Sequence, residues 1–187
     1  MENERKNLMV LFPGAGYTVD KPLLYYAGFK YYVKGYETIK INYGDCILNG
    51  KTQNKSFNEI IEDIKNFVLE QIKDVDFSFY DDIVFCSKSM GTVISGWLVE
   101  TLNIKNIRNI YLTPVNDTLQ YIKNGKNISI VIAGTKDDYM NIEILKEHCE
   151  REKIKLELID GADHGLVIVG EDMNVNIDIL KKIVELY

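Results

Sequence analysis

The stretch FCSKSMGTVIS (residues 85–95) sits where an apolar run gives way to a segment of helical character. The run DIVFC (82–86) predicts a strand, and a helix is expected to begin near Met90. Two serines, a lysine and a glycine crowd the few positions between them. This crowding predicts a turn too sharp for larger side chains.

Ser89 stands at the centre of this turn, with Ser87 two positions before it and Gly91 two positions after it. The spacing is that of a nucleophile elbow, written G-x-S-x-G in its common form, in which a strained backbone lifts the central hydroxyl clear of a sheet. The residues two positions away must be small because the backbone segments approach closely there. The alternative interpretation is an ordinary loop in which Ser89 only caps the following helix.

Short β-branched runs alternate with longer segments of helical period along the rest of the chain. Several of the runs are apolar throughout, as strands covered on both faces must be. Helical crossovers between them predict an α/β fold: a mainly parallel six-stranded sheet with helices on both faces, in a single domain over residues 1–187. The predicted strands are LMVLF (8–12), TIKINY (38–43), DIVFC (82–86), NIYL (109–112), ISIVIA (128–133) and KLELI (155–159).

Helices are predicted over residues 57–73, from near Met90, from near Met140 and over residues 175–187. The first has a capping box, Ser56 with Glu59. One apolar stripe runs along it, made of Phe57, Ile60, Ile61, Ile64, Phe67, Val68 and Ile72. In a parallel sheet of this kind, functional loops lie at the carboxyl ends of the strands.

Composition excludes several classes of function. Lys and Arg number 22 against 28 Asp and Glu, a net charge of −6, which argues against a nucleic-acid partner and an anionic membrane surface. Three cysteines cannot all pair within the chain, and MENERKN is followed by no secretory apolar region. The apolar runs are far shorter than the roughly 20 residues that span a bilayer. The expected compartment is the cytoplasm.

An acyl-transfer serine needs a base, a carboxylate that orients the base, and N–H groups that bind the oxyanion. The chain has two histidines. His164 follows the last predicted strand in a loop between glycines, which places it at the carboxyl edge of the sheet, whereas His148 lies inside a predicted helix. His164 is therefore the candidate base.

The candidate carboxylate lies in the segment GTKDD (134–138), directly after the fifth predicted strand. Its spacing from Gly134 favours Asp137 over the adjacent Asp138, which remains an alternative. Asp163 is disfavoured because a residue next to His164 reaches its Nδ1 atom only with difficulty. The competing interpretation is that the two aspartates of the segment cap the helix near Met140.

The segment FPGAGY (12–17) follows the first predicted strand, and Gly14 and Gly16 permit close approach of the backbone to a ligand. The candidate oxyanion donors are the N–H of Met90 and that of Ala15 or Gly16. A dinucleotide-binding G-x-G-x-x-G is disfavoured because Val19 occupies the third glycine position.

These segments together resemble the α/β-hydrolase superfamily: FPGAGY its oxyanion loop, SKSMG its elbow, GTKD its acid loop and ADHG its histidine loop, in the family's order. The resemblance implies Ser89 as nucleophile, Asp137 as acid and His164 as base, with Ala15 and Met90 as oxyanion donors. Two positions depart from the family pattern, with proline at position 13 and serine at position 87. The expected function is cleavage of a small ester or thioester, and the same residues would also serve for an amide. The alternative is a binding protein of the same fold that has no catalytic activity.

Neither a cofactor nor a metal is expected. Cys86 is predicted to be a buried strand residue of low reactivity, and the adjacent His148 and Cys149 diverge on a helix.

Residues 113–127 leave room only for a turn and a short helix, so an open site without a lid is predicted. Gly14, Gly16 and Tyr17 are the candidate substrate-binding residues. The segment FPGAGY (12–17) is called the first loop below. Tyrosines concentrated near it are predicted to cover the sheet with their hydroxyls at the surface, or to line a pocket: Tyr17, Tyr25, Tyr26, Tyr31, Tyr32, Tyr36 and Tyr43.

Overall fold

A computed structural model describes residues 6–125 and 127–187 and shows a single sheet of six parallel strands. Residues 1–5 of the predicted domain and Lys126 lie outside the described residues. The strands are β1 (Lys6–Phe12), β2 (Glu37–Lys40), β3 (Tyr80–Lys88), β4 (Ile107–Leu112), β5 (Ile128–Gly134) and β6 (Leu156–Ile159). The helices are α1 (Pro22–Val33), α2 (Cys46–Thr52), α3 (Phe57–Ile72), α4 (Met90–Leu102), α5 (Ile142–Glu152) and α6 (Met173–Leu186).

The strand order is β2-β1-β3-β4-β5-β6, and both faces of the sheet are covered. Along β1, Leu8 and Val10 pack on the side of α3 and α4, whereas Met9 and Leu11 pack on the side of α1 and α6. Successive side chains of a strand point to opposite faces, so an uninterrupted apolar run supplies both cores. The predicted three-layer α/β fold is confirmed.

All six predicted strands are present, with changed ends. The most consequential change is at β3, which continues to Lys88 rather than ending at Cys86. At the edge of the sheet β2 ends at Lys40, although Ile41 still donates its N–H to the carbonyl of Leu11 at 3.0 Å. The predicted strand continued to residue 43 and was therefore three residues too long. Because an edge strand pairs with only one neighbour, its pairing ends where that single neighbour ends.

Helix α3 matches its prediction closely. The Ser56–Glu59 capping box is formed, and the buried residues are Ile61, Ile64, Val68 and Ile72. Two members of the predicted stripe, Phe57 and Phe67, are instead exposed. Phe57 is the first residue of the helix, and Phe67 lies beside the buried face rather than within it.

Helices α1 and α2 were not predicted. In α1 the buried residues Leu23, Leu24, Ala27 and Tyr31 share the helix with exposed aromatic rings, including Tyr25 and Phe29. A helix that is apolar on most of its circumference has no contrast between faces, and α1 has no side-chain cap at its start. Within the described residues, no helix is both long and apolar enough to traverse a bilayer.

Candidate active site

The turn between β3 and α4 forces Ser89 into an unusual backbone conformation. Its φ is 55° and its ψ is −126°, a region that non-glycine residues seldom adopt. The N–H of Ser89 donates to the carbonyl of Leu112 at 2.9 Å, and its side chain makes no cap hydrogen bond to the helix. The interpretation of Ser89 as a simple helix cap is therefore wrong. Strain of this kind persists only where the surrounding structure imposes it.

Close backbone contact explains the small residues around Ser89. A Cβ on Gly91 would lie 2.5 Å from the carbonyl oxygen of Pro13, a distance that real Cβ atoms do not reach. Ser87 is buried, and its hydroxyl donates to the hydroxyl of Ser95 in α4 at 2.7 Å. Serine therefore fits where the elbow pattern has glycine, because the helix supplies a partner for its hydroxyl.

The turn brings Ser89 to His164 and Asp137, which come from loops after β6 and β5. His164 Nε2 lies 2.8 Å from Ser89 Oγ, and His164 Nδ1 lies 2.8 Å and 2.9 Å from the two carboxylate oxygens of Asp137. The side chain of Asp137 is 0% exposed and that of His164 is 21% exposed. A hydroxyl, an imidazole and a carboxylate thus form one chain of hydrogen bonds whose hydroxyl end faces the surface.

Backbone packing holds the acid loop and the histidine loop together. The N–H of Lys136 donates to the carbonyl of Ala162 at 2.9 Å. A Cβ on Gly134 would lie only 2.1 Å from that same carbonyl oxygen. Glycine at position 134 is therefore required for the two loops to meet.

The neighbouring aspartates have different environments. Asp138 is exposed, whereas Asp137 is buried and also accepts the N–H of Tyr139 at 2.8 Å. The cap of α5 is Asn141, whose Oδ1 accepts the N–H groups of Glu143 and Ile144. The interpretation of both aspartates as caps of that helix is wrong.

The remaining candidates for base and acid have local partners. Asp163 Oδ1 accepts the N–H of Gly165 at 2.7 Å and so closes its own turn. His148 lies half-buried in α5, with Nε2 2.6 Å from the carbonyl of Ile122 and Nδ1 2.7 Å from the guanidinium of Arg151. Neither residue takes part in the hydrogen-bond chain to Ser89.

No protein-family model and no curated protein matches this sequence. Solved structures do match over nearly the whole chain. A protein from Xanthomonas campestris pv. campestris, assigned to the alpha/beta superfamily of hydrolases, has 12% identity and a TM-score of 0.67, with 97% of this chain and 98% of that chain covered. The chain has the α/β-hydrolase fold.

Two further neighbours have the same α/β-hydrolase fold. An alpha-beta serine hydrolase homologue from Coxiella burnetii has 15% identity and a TM-score of 0.59, with coverage of 96% of this chain and 84% of that one. Est1E from Butyrivibrio proteoclasticus has 14% identity and a TM-score of 0.61, with coverage of 98% and 89%. At such identities the likeness concerns the fold alone.

The first loop of this α/β-hydrolase fold lies directly beside Ser89. A Cβ on Gly14 would be 3.1 Å from Cβ of Ser89, and Gly14 and Tyr17 pair through backbone hydrogen bonds. The exposed Ala15 and Gly16 form the tip between them. Met90 opens α4, and N–H groups in the first turn of a helix have no partner inside the helix. The N–H groups that are candidate oxyanion donors thus belong to the two segments that adjoin Ser89.

A cleft of about 500 Å³ opens between the first loop and α2. Its lining includes the predicted substrate-binding residues Gly14, Gly16 and Tyr17, together with Ile47 and Lys51. Ser89 and His164 are not part of this lining, so Gly14 forms the boundary between the cleft and the hydroxyl. Between β4 and β5 the structure describes a short 3₁₀ helix, Asn116–Tyr121, in agreement with the short helix predicted there.

The tyrosines near the first loop do not all behave as predicted. Tyr25, Tyr26 and Tyr32 are exposed, but the hydroxyl of Tyr43 is buried and donates to the carbonyl of Pro13 at 2.9 Å. Tyr17 is half-buried, and its hydroxyl accepts the N–H of Leu23 at 3.0 Å. Burial raises the pKa of Tyr17.

Three residues beside the catalytic candidates, Lys88, Thr113 and Tyr139, were not predicted from the sequence. The ring of Tyr139 lies 4.5 Å from that of His164, between centroids. Lys88 and Thr113 are buried beneath the histidine loop. The sequence signal that could have indicated Lys88 was a lysine at the end of an otherwise apolar strand.

Cys86 is fully buried in β3, as predicted, and burial raises the pKa of its thiol.

Proposed function

We propose that this protein is a serine hydrolase that cleaves a small carboxylic ester or thioester through an acyl-enzyme intermediate. The single observation that carries the proposal is the continuous hydrogen-bond chain from Ser89 through His164 to Asp137. A hydroxyl within 2.8 Å of an imidazole, itself oriented by a buried carboxylate, is the arrangement that activates serine for acyl transfer.

The proposed reaction has two steps. Ser89 Oγ attacks the carbonyl carbon while its proton passes to His164 Nε2, and the same proton then goes to the leaving alcohol or thiol. A water molecule, deprotonated by His164, attacks the acyl-enzyme and releases the acid and the free serine. Asp137 keeps the imidazole oriented and stabilises its protonated form in both steps.

Backbone N–H groups supply the proposed oxyanion site. Met90 would donate from the start of α4, and Ala15 or Gly16 would donate from the first loop. The oxyanion carries full charge only in the tetrahedral state, so these donors lower the barrier more than they strengthen substrate binding. The first-loop cleft beside Gly14 is the proposed site for one side of the substrate. Structural neighbours described as hydrolases support the reaction class.

A fluorophosphonate probe tests the proposal because it reacts only with an activated serine. We expect stoichiometric labelling of Ser89 in the wild type, identified by peptide mass, and hydrolysis of p-nitrophenyl acetate. Ser89→Ala should lose labelling and lower kcat by roughly 10⁵- to 10⁶-fold. Ser129→Ala, which removes an exposed hydroxyl from β5, is the control and should behave as wild type.

Two results would contradict the proposal. Hydrolysis by Ser89→Ala at the wild-type rate would place the reaction elsewhere in the molecule. A folded wild-type protein that neither labels nor hydrolyses esters would favour the alternative, a binding protein with this fold and no catalytic function.

A further inference from the structure

Lys88 is a buried charged residue that immediately precedes Ser89 in the sequence. It is the last residue of β3, and its side chain is 1% exposed. Because Ser87 faces α4, the next side chain along the strand faces the opposite side of the sheet, beneath the histidine loop. Lysine is almost never buried to this extent unless its ammonium group has partners.

The ammonium group of Lys88 has three donors, and it contacts two hydrogen-bond acceptors and one aromatic ring. Nζ lies 2.6 Å from the hydroxyl of Thr113 and 2.7 Å from the backbone carbonyl of His164. It also lies 5.0 Å from the ring centroid of Tyr17, which is a cation–π distance. The three partners belong to three separate loops, after β4, β6 and β1.

Thr113 shows that this arrangement is imposed on the chain. Its φ is 42°, a left-handed value that is an outlier for a β-branched residue, and it is fully buried at the end of β4. Its N–H is fixed by the carbonyl of Ile132 at 2.7 Å. The strained backbone directs the threonine hydroxyl to Lys88.

Three charged groups of neighbouring segments act on Lys88. Asp137 lies in the acid loop, Asp163 in the histidine loop and Lys21 ahead of α1. Burial lowers the pKa of Lys88 to about 8, and the two carboxylates partly offset that effect. The ammonium form, which has three donors, is therefore the form present at neutral pH.

We propose that Lys88 is a positioning residue: by holding the backbone carbonyl of His164, it fixes the imidazole at hydrogen-bond distance from Ser89. The expected effect on the reaction rate rests on the proposed function, whereas the expected effect on the position of His164 rests on geometry alone. Lys88 touches the backbone of His164 rather than the reacting atoms. A displacement of about 1 Å in a catalytic group can lower a rate about a hundredfold, so an anchor on the carbonyl next to the Cα atom of His164 is sufficient.

A purely structural role makes a different prediction. If Lys88 only stabilised the fold, its replacement would lower stability and activity together. Methionine keeps most of the length of the lysine side chain and removes the desolvation cost of a buried charge, which offsets the loss of the two hydrogen bonds that Lys88 donates. Lys88→Met should therefore stay folded, with a Tm close to that of the wild type, and still react slowly.

The kinetic experiment compares Lys88→Met with Lys105→Met, which removes an exposed lysine at the opposite end of the sheet. We expect the rate of fluorophosphonate labelling and kcat for p-nitrophenyl acetate to fall about a hundredfold in Lys88→Met, with little change in KM. The wild-type rate should also fall above about pH 8, because the neutral amine of Lys88 donates a weaker hydrogen bond to the carbonyl of His164 than the ammonium group does. This limb should be absent from Lys88→Met. Lys105→Met should match the wild type in both respects.

A second readout does not depend on activity. The ¹⁵N spectrum of the two histidine side chains, assigned with His148→Gln, reports the tautomer of His164 and the hydrogen bond at Nδ1. We expect one ordered Nδ1–H form in the wild type and exchange-broadened or altered signals in Lys88→Met. This result would stand even if the wild type proved inactive, so failure of the proposed function and failure of the inference are distinguishable.

Labelling of Lys88→Met at the wild-type rate with an unchanged His164 spectrum would overturn the inference. If Lys88→Met does not fold, Thr113→Val serves instead, because it removes one acceptor of Lys88 and keeps the side-chain shape. Thr113→Val should label several-fold more slowly than Thr113→Ser, which retains the hydroxyl. Equal rates for these two variants would contradict the role of Lys88.

Discussion

At the scale of single residues, environment rather than sequence position separates Asp137 from Asp138. Both follow Lys136, yet the carboxylate of Asp137 is buried against His164 while Asp138 is exposed. The turn after Gly134 directs successive side chains to different sides, so only one of the pair reaches the imidazole. A matched pair of substitutions therefore tests the assignment.

We expect Asp137→Asn to lower kcat for ester hydrolysis by roughly 10⁴-fold, because an asparagine amide beside Nδ1 favours the wrong imidazole tautomer. Asp138→Asn should retain wild-type kcat. Both variants should be compared by steady-state kinetics after their folding has been checked by circular dichroism. A large loss in Asp138→Asn, with Asp137→Asn unaffected, would reverse the assignment.

Lys88 also makes a prediction about stability and pH. Burial lowers its pKa from 10.5 to about 8, which corresponds to about 3 kcal/mol against the charged form in the folded state. Between these values the unfolded chain binds more protons than the folded one, so this group makes stability rise with pH. Below about pH 8 the destabilisation is present in full.

The free energy of unfolding of the wild type should therefore rise relative to that of Lys88→Met by about 2–3 kcal/mol between pH 8 and pH 10.5. Urea denaturation at several pH values measures the difference, and the other lysines and tyrosines cancel in the comparison. A difference that stays constant over this range would show that Lys88 keeps its ordinary pKa in the folded protein.

At the scale of elements, the start of α4 has no room for a side chain at position 91. Gly91 packs against the backbone of β1, and a Cβ there would meet the carbonyl oxygens of Pro13 and Phe12 at 2.5 Å and 2.6 Å. Neither oxygen belongs to a flexible side chain that can move aside. A Cβ on Gly16, by contrast, would have no atom within 4 Å.

Gly91→Ala should lower the free energy of unfolding by about 1–3 kcal/mol through overpacking. Gly16→Ala should change it by less than about 0.5 kcal/mol. Chemical denaturation of the two variants beside the wild type tests this. Alanine is the better helix former by up to about 1 kcal/mol, so a stabilised Gly91→Ala would show that the contact with β1 is not close.

The elements that the sequence predicts well are those with a strong local signal. Helix α3 has a polar face, an apolar face and a capping box, and several strands, such as β1 and β5, are short apolar runs. Helix α1 lacks such contrast because exposed rings such as Tyr25 and Phe29 hide its period. The elbow was predictable because steric limits on its backbone restrict the residue types that fit there.

The contacts that the sequence does not predict join distant segments. Nothing near position 88 indicates that its ammonium meets Thr113 and the carbonyl of His164, because those contacts depend on three loops folding over one strand end. The competing interpretation, in which Asp137 and Asp138 cap α5, fails for a related reason. The carboxylate of Asp137 forms hydrogen bonds with His164, and the N-cap of α5 is Asn141.

At the scale of the whole molecule, the two cores share the same strands. In β3 the side chain of Phe85 packs toward α3 and α4, and that of Cys86 packs toward α1 and α6. Loss of one helical layer would expose the sheet from that side and remove the support for the other. We therefore propose that residues 1–187 unfold as one cooperative domain.

Ile183 and Trp97 lie on opposite faces of the sheet and allow a direct test of this coupling. Ile183 is 0% exposed in α6, and the one tryptophan, Trp97, packs against the core on the α4 side. Ile183→Ala should cost about 2–5 kcal/mol and lower Tm by roughly 10 °C. Trp97 fluorescence and far-UV circular dichroism should report the same shift, because unfolding in one layer requires unfolding in the other. Ile177→Ala, at a position 52% exposed on the same helix, should leave both midpoints nearly unchanged. A Trp97 midpoint that stayed at the wild-type temperature while the dichroism midpoint fell would instead reveal two layers that unfold independently.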